Sequence, residues 1–205
     1  MESQVASSSN PFSTRYVRPS AVPYVFPDGV DAQQLLATLG TAGWWGQIIG
    51  PHGSGKSTLL HTLVPHVEGA GRRVAFHTLR QDQRRLGVSR AAISTWDANT
   101  QVVVDGFEQL NWLCRISLRR VCRKRRAGLL VTAHRPIGLP TLWTTPTSAP
   151  LARRIVVGLL GETPKVHIAE EEIDELLDAN RGDVRELLMD LYDVYEQRAS
   201  DAGRM

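Results

Sequence analysis

WWGQIIGPHGSGKST, residues 44–58, is a short apolar run followed at once by a glycine-rich loop. Gly50 to Ser57 fits the spacing G-x-x-x-x-G-K-[ST] in full. It stands where that spacing has a physical use, after an apolar strand and before a helix expected from Ser57 to Val67. The glycines let the backbone curl so that successive N–H groups point inward at phosphate oxygens. The start of the following helix adds partial positive charge. The loop residues Gly50, Pro51, His52, Gly53, Ser54, Gly55, Lys56, Ser57 and Thr58 are therefore expected to hold the phosphates of a nucleoside triphosphate. Lys56 would reach the β- and γ-phosphates, and the Ser57 hydroxyl would ligate Mg²⁺.

Outward from this stretch, apolar strands alternate with helical spacing. Arg73 to Thr78, Gln101 to Val104, Gly128 to Ala133 and a short Thr141 to Thr145 read as further strands. Helices are expected from about Glu108 to Arg126 and from Ala152 to Leu160, and an arginine-rich helix and loop runs to about Asn99. Strands alternating with helices imply an α/β fold with a parallel sheet. Asp31, with Gln34 three residues on, can cap a helix that carries Leu35, Leu36 and Leu39 on one face and ends at Gly40. Residues 1–10 read as a polar, disordered tail, and residues 11–29, with Pro11, Pro19, Pro23 and Pro27, as an extended segment. From 166 onward the pattern becomes two amphipathic helices, Glu170 to Ala179 and Val184 to Arg198. Arg181-Gly182-Asp183 breaks them, and Asp183 is suited to cap the second. The domains so drawn are an N-terminal segment 1–29, a nucleotide-binding α/β domain 30–165 and a helical hairpin 166–205.

The second half of the site is Val102-Val103-Val104-Asp105, an acid at the end of an apolar strand, which would hold Mg²⁺. The residue after it is Gly106, and the nearest acid is Glu108. Glu108 reads either as the group that orients the attacking water or as an acid favoured by a helix N-terminus.

At this point the chain resembles the division of P-loop ATPases that includes AAA+ proteins and the signalling NTPases with NACHT-type domains. Asp105-Gly106-Phe107-Glu108-Gln109-Leu110 resembles the Asp-Gly-Leu-Asp-Glu-Leu stretch of the signalling group, after its Walker B strand. Leu130 to Pro136 resembles the sensor 1 element, with Thr132 where the family places a hydroxyl and Arg135 where the signalling group often has an arginine. Gly182-Asp183-Val184-Arg185 is similar to sensor 2, whose arginine reaches the phosphates from a helical lid. The resemblance implies a three-layer P-loop NTPase sandwich with about five parallel strands and a small C-terminal lid. It further implies ATP and Mg²⁺ as cofactors, Ser57 and Asp105 at the metal, and Lys56, Glu108, Thr132 and Arg185 as the catalytic set. Arg153 and Arg154 are its candidates for an arginine finger.

Two further readings stand beside an ATPase or ATP-driven switch. A P-loop small-molecule kinase would use Arg119 and Arg123 as a mimic of the paired arginines of a kinase lid. A regulatory module would bind nucleotide with little turnover, acting on DNA or a protein. No Asn-Lys-x-Asp guanine-reading motif occurs, which favours adenine. Arg115, Arg119, Arg123 and Arg126 fall on one face of the basic helix 115–126, a face either solvated or in contact with nucleic-acid phosphates. The aromatics Tyr16, Tyr24 and Phe26 read as core anchors or as a platform for the base.

Composition sets the frame. With 42% hydrophobic and 22% charged residues over 205 positions, the chain can bury a core, and a net charge of +3 does not by itself argue for nucleic acid. Six histidines show no metal-ligand spacing, and His134 reads as structural. Cys114 and Cys122 sit eight apart on one expected helix, roughly 12 Å of rise, too far to bridge. That suits a reducing compartment. With no apolar run near ~20 residues and a polar N-terminus, a soluble cytoplasmic protein is expected; one nucleotide domain with no obvious effector domain is expected to act through a protein partner, and an oligomer is compatible with the resemblance.

Overall fold

The structure, a computed structural model, describes residues 10–19, 21–161 and 166–202. The expected tail lies outside the described residues except for Asn10. In chain order the elements are α1 (Thr14–Val17), α2 (Ala32–Thr41), β1 (Trp45–Ile49), α3 (Lys56–Gly69), β2 (Arg73–Thr78), α4 (Arg90–Ser94) and β3 (Thr100–Asp105). A 3-10 turn (Phe107–Gln109) leads to α5 (Trp112–Arg125), β4 (Gly128–Ala133), β5 (Thr141–Thr144), α6 (Ala149–Leu160), α7 (Glu170–Ala179) and α8 (Val184–Ala202). They form two compact units, one of residues 26–146 and one of the chain up to residue 25 together with residues from 147 onward.

The first unit is an α/β sandwich. Its five strands are all parallel, in the order β2-β3-β4-β1-β5. Val102, Val104, Leu129 and Val131 project to one face, where they join Leu118 and Cys122 of α5 in a buried cluster. Residues of the other parity face α2 and α3: a Cβ at Gly46 would meet Leu39 of α2 and Leu130 of β4, and α2 packs against α3. Both faces of β3 and β4 are covered, so both strands read as unbroken apolar runs. Asp31 caps α2 by accepting from the N–H of Gln34 at 2.8 Å.

The helix expected from Glu108 is shorter than its apolar spacing suggests. Asn111 accepts from the N–H of Cys114 at 2.8 Å and opens α5 there. Glu108 is left in the preceding 3-10 turn, outside the helix it was expected to open. Gly106, at φ +81°, makes the reversal between β3 and that turn.

The second unit is helical. Ala152 and Val156 of α6, Ile173 and Leu177 of α7, and Leu187, Leu191 and Tyr195 of α8 share one core. Each large apolar side chain so buried stabilises the fold by about 1.5–3 kcal/mol. Helix α6, which the sequence groups with residues 30–165, begins three residues earlier than expected, with Pro150 in its first turn, and packs on α7. Arg153 of α6 joins it to Asp174 and Glu170 of α7. The segment read as extended contains α1, and Phe12 just before it is 1% exposed, edge-on to Tyr195 at 6.1 Å between centroids. Asn10 is buried too, donating to the Tyr192 carbonyl and the Glu196 carboxylate. Asp183 caps α8 as expected, accepting from the amides of Arg185 and Glu186. Among the described residues no helix is long and apolar enough to cross a membrane.

Candidate functional site

Parallel strands in register end along one edge, and that edge collects the candidate residues of the sheet unit. Ile49 is level with Ala133 and Thr144, and Thr78 with Asp105. The loop 50–55 leaves β1 there and enters α3 with Gly53 at φ +64° and Gly55 at φ +83°. The first backbone bond of α3 runs from the Leu59 N–H to the Gly55 carbonyl, so the amides of Lys56, Ser57 and Thr58 have no acceptor inside the helix. They face the end of the loop with the positive pole of the helix behind them.

The loop is pinned from both sides. The Gly50 N–H donates to Ala133 of β4 at 3.3 Å. Ser54 Oγ donates to the Pro51 carbonyl at 2.8 Å and lies 2.6 Å from the hydroxyl of Thr145. Each hydroxyl also has a carbonyl acceptor, Pro51 for Ser54 and Ile49 at 3.2 Å for Thr145, so either can donate to the other. The Thr145 N–H in turn donates to Ile49 at 2.9 Å. Thr145 and Ser54 are 2% and 5% exposed. A Cβ at position 50 would fall 2.0 Å from Thr145 Oγ1, which leaves room only for glycine. The Lys56 ammonium is buried against the carbonyls of Gly50, at 2.8 Å, and Pro51.

Asp105 and Thr132 lie on the face that α3 covers, because Val103 and Leu130, two residues before each, share that parity. The Thr132 hydroxyl donates to Asp105 Oδ1 at 2.7 Å and accepts from the Gly106 N–H, also at 2.7 Å. Thr132 thus fixes both the carboxylate and the backbone that follows it. Ser57 and Asp105, expected from the sequence at a metal, present oxygens on half-buried side chains at this edge. Hard oxygen donors, few in number, suit Mg²⁺, which takes one or two protein ligands and fills the rest of its shell with phosphate and water. Among the described residues there is no group of three or more His, Cys, Asp or Glu that could hold a metal.

Glu108 returns to the site through the 3-10 turn. Its Oε1 lies 3.0 Å from His134 Nε2, at the end of β4. Its Oε2 is buried with no hydrogen-bond partner among the described residues. Arg115 holds the Glu108 backbone by donating to its carbonyl at 2.5 Å. His134 packs edge-on against His52 of the loop, with centroids 4.8 Å apart. Burial, then the positive charge of Lys56, push the His134 pKa below 6.5; Glu108 opposes them, and His52 and Arg135 add to the lowering. Arg135 is exposed beside it.

The sequence did not point to Thr145, to Arg115 as a partner of the Glu108 backbone, or to the His134–Glu108 contact. The only sequence signal for His134 was its place at the end of a strand whose Thr132 was already a candidate. The basic helix is also used differently from its linear pattern. Arg115 donates to Leu110 as well as Glu108, Arg119 donates to Ile137, and both guanidiniums lie over the Phe107 ring. Arg123 lies over Trp45. Arg115 and Arg119, two of the four arginines on the expected phosphate-contacting face, are thereby committed within the unit, Arg123 is exposed beside Trp45, and Arg119 and Arg123 sit in an unbroken helix. Arg120, Lys124, Arg125 and Arg126 remain exposed. In the helical unit, Arg153 is bound to Asp174 and Glu170, and Arg185 is exposed in the first turn of α8.

The chain is thus an α/β protein with a five-stranded parallel sheet whose glycine loop, lysine and acids meet at one strand edge. Among solved structures it is similar to that of C. elegans PCH-2, with a TM-score of 0.43 and 11% identity over 82% of this chain and 69% of that one. No family model matches the chain, and no curated protein matches it.

Proposed function

We propose that this protein binds ATP with Mg²⁺ at the loop 50–58 and hydrolyses it. The observation that carries the reading is the meeting, at one sheet edge, of a glycine loop fixed for phosphate, a buried lysine and the Asp105 carboxylate. Lys56 would exchange its two carbonyl contacts for phosphate oxygens. Ser57 and Asp105 would hold Mg²⁺, which when bound neutralises charge on the phosphates. Thr132 keeps Asp105 turned toward the α3 side of the sheet. Glu108 would accept a proton of the attacking water through Oε2, the oxygen with no other partner. For Arg185 the resemblance is the whole argument.

Calorimetric titration with ATP, with and without Mg²⁺, and steady-state phosphate release test the proposal on wild type, Lys56→Ala, Glu108→Gln and Arg185→Ala. Binding that requires Lys56, with turnover abolished by Glu108→Gln while affinity survives, is the expected result. Absence of ATP binding by the wild type sinks it. Binding without turnover favours the regulatory module, or a kinase lacking its acceptor.

A further inference from the structure

We propose that His134 is a positioning residue for Glu108, holding one carboxylate oxygen so that the other is presented to water; this rests on the ATPase reading above. The geometry divides the two oxygens of Glu108 into different roles. Oε1 is 3.0 Å from His134 Nε2, a hydrogen-bond distance, whereas Oε2 is buried and has no partner among the described residues. A neutral imidazole carries one N–H, and assigning it to Nε2 lets His134 donate to the Glu108 oxygen 3.0 Å away. The proton affinity of His134, lowered by burial and by Lys56, agrees with that neutral, donating form.

Glutamate is a flexible side chain, and Glu108 stands in a turn of three residues with no helix to order it. Two groups supply the missing order. Arg115 fixes its carbonyl, and His134 fixes its carboxylate. His134 is itself braced by the ring of His52, which belongs to the loop expected to hold phosphate. A shift of that loop would therefore be felt at Glu108 through two side chains. Asp105 does not share this task, because its Oδ1 is bonded to Thr132, on the strand that leads to His134.

The test is steady-state phosphate release by the full chain with ATP and Mg²⁺, for wild type, His134→Ala and His134→Gln, with ATP affinity measured separately by titration. The Gln amide nitrogen can stand where Nε2 stands and donate to Glu108. His134→Ala is expected to lower kcat about 10- to 100-fold, the scale of a catalytic group misplaced by about an ångström. ATP affinity should stay within about two-fold in both variants, since the inference gives His134 no phosphate to hold. His134→Gln should recover most of kcat. A wild type that turns over alongside an unimpaired His134→Ala overturns this inference alone. So does His134→Gln as slow as His134→Ala, or affinity falling in step with kcat. A wild type that binds Mg²⁺ and ATP and releases no phosphate overturns the ATPase reading and this inference with it.

Discussion

Thr132→Val removes one hydroxyl and keeps the side-chain volume, at a position only 1% exposed. Two bonds of 2.7 Å go with it, one donated to Asp105 Oδ1 and one accepted from the Gly106 N–H. Leaving the Gly106 donor without a partner costs about 1–3 kcal/mol. The bond to the carboxylate would contribute about 1.5–3 kcal/mol if fully buried. Asp105 is half-exposed, so water replaces part of it, and about 1 kcal/mol is the reasonable share. The sum predicts a loss of about 2–4 kcal/mol. Thr132→Ser keeps both bonds and removes one methyl, a loss of about 1 kcal/mol. Urea denaturation of the three proteins measures this, read as midpoint shifts at unchanged slope. If Thr132→Val falls within about 0.5 kcal/mol of wild type, or Thr132→Ser is the weaker variant, the hydroxyl bridge does not hold the strand edge together.

Gly50→Ala drives a methyl to within 2.0 Å of Thr145 Oγ1, and should cost about 1–3 kcal/mol or more and weaken ATP binding at least ten-fold; adding Thr145→Ala should restore part of both, and two independent losses would refute the steric account. Burial, with Nε2 unpartnered, pushes the His77 pKa below 6.5, so the unfolded chain binds its proton more readily. That contribution to stability is full above 6.5 and is lost as pH falls below it. The melting temperature should therefore drop from about pH 7.5 to about pH 5.5, and drop less in His77→Phe, with equal slopes counting against it. Burial pushes the Cys122 thiol up to about 12, whereas Cys114 is half-exposed. Iodoacetamide at about pH 8 should label Cys114 in the native chain and spare Cys122 until denaturant is added; simultaneous labelling would show that Cys122 is not enclosed.

Much of the sheet unit was readable because its determinants are local. Buried parallel strands are continuous apolar runs, and the glycine loop has a fixed spacing between a strand and a helix. All five expected strands form, and the caps by Asp31 and Asp183 lie where the residue types require them. What was not readable depends on contacts across the chain. Thr145 meets Ser54 from 91 residues away, and His134 reaches Glu108 only because β4 lies beside β3. The arginines of α5 have the spacing of a surface face, but Phe107 and Trp45 lie beneath three of them, and stacking on an aromatic leaves no mark in linear charge pattern. The start of α5 was misjudged because Asn111 outweighs apolar spacing that runs on in both directions.

Gly106 restricts what can stand directly after Asp105. Its φ of +81° suits glycine, and a Cβ there would sit 3.2 Å from the Leu79 carbonyl. An acid directly after Asp105 would carry a backbone cost of about 1–2 kcal/mol and would disturb the reversal that brings Glu108 back to the edge. Gly106→Glu is therefore expected to lower phosphate release below wild type, although it adds a second carboxylate. If Glu108 is the acid that meets the water, its place two residues beyond Gly106 follows from the handedness of that one residue.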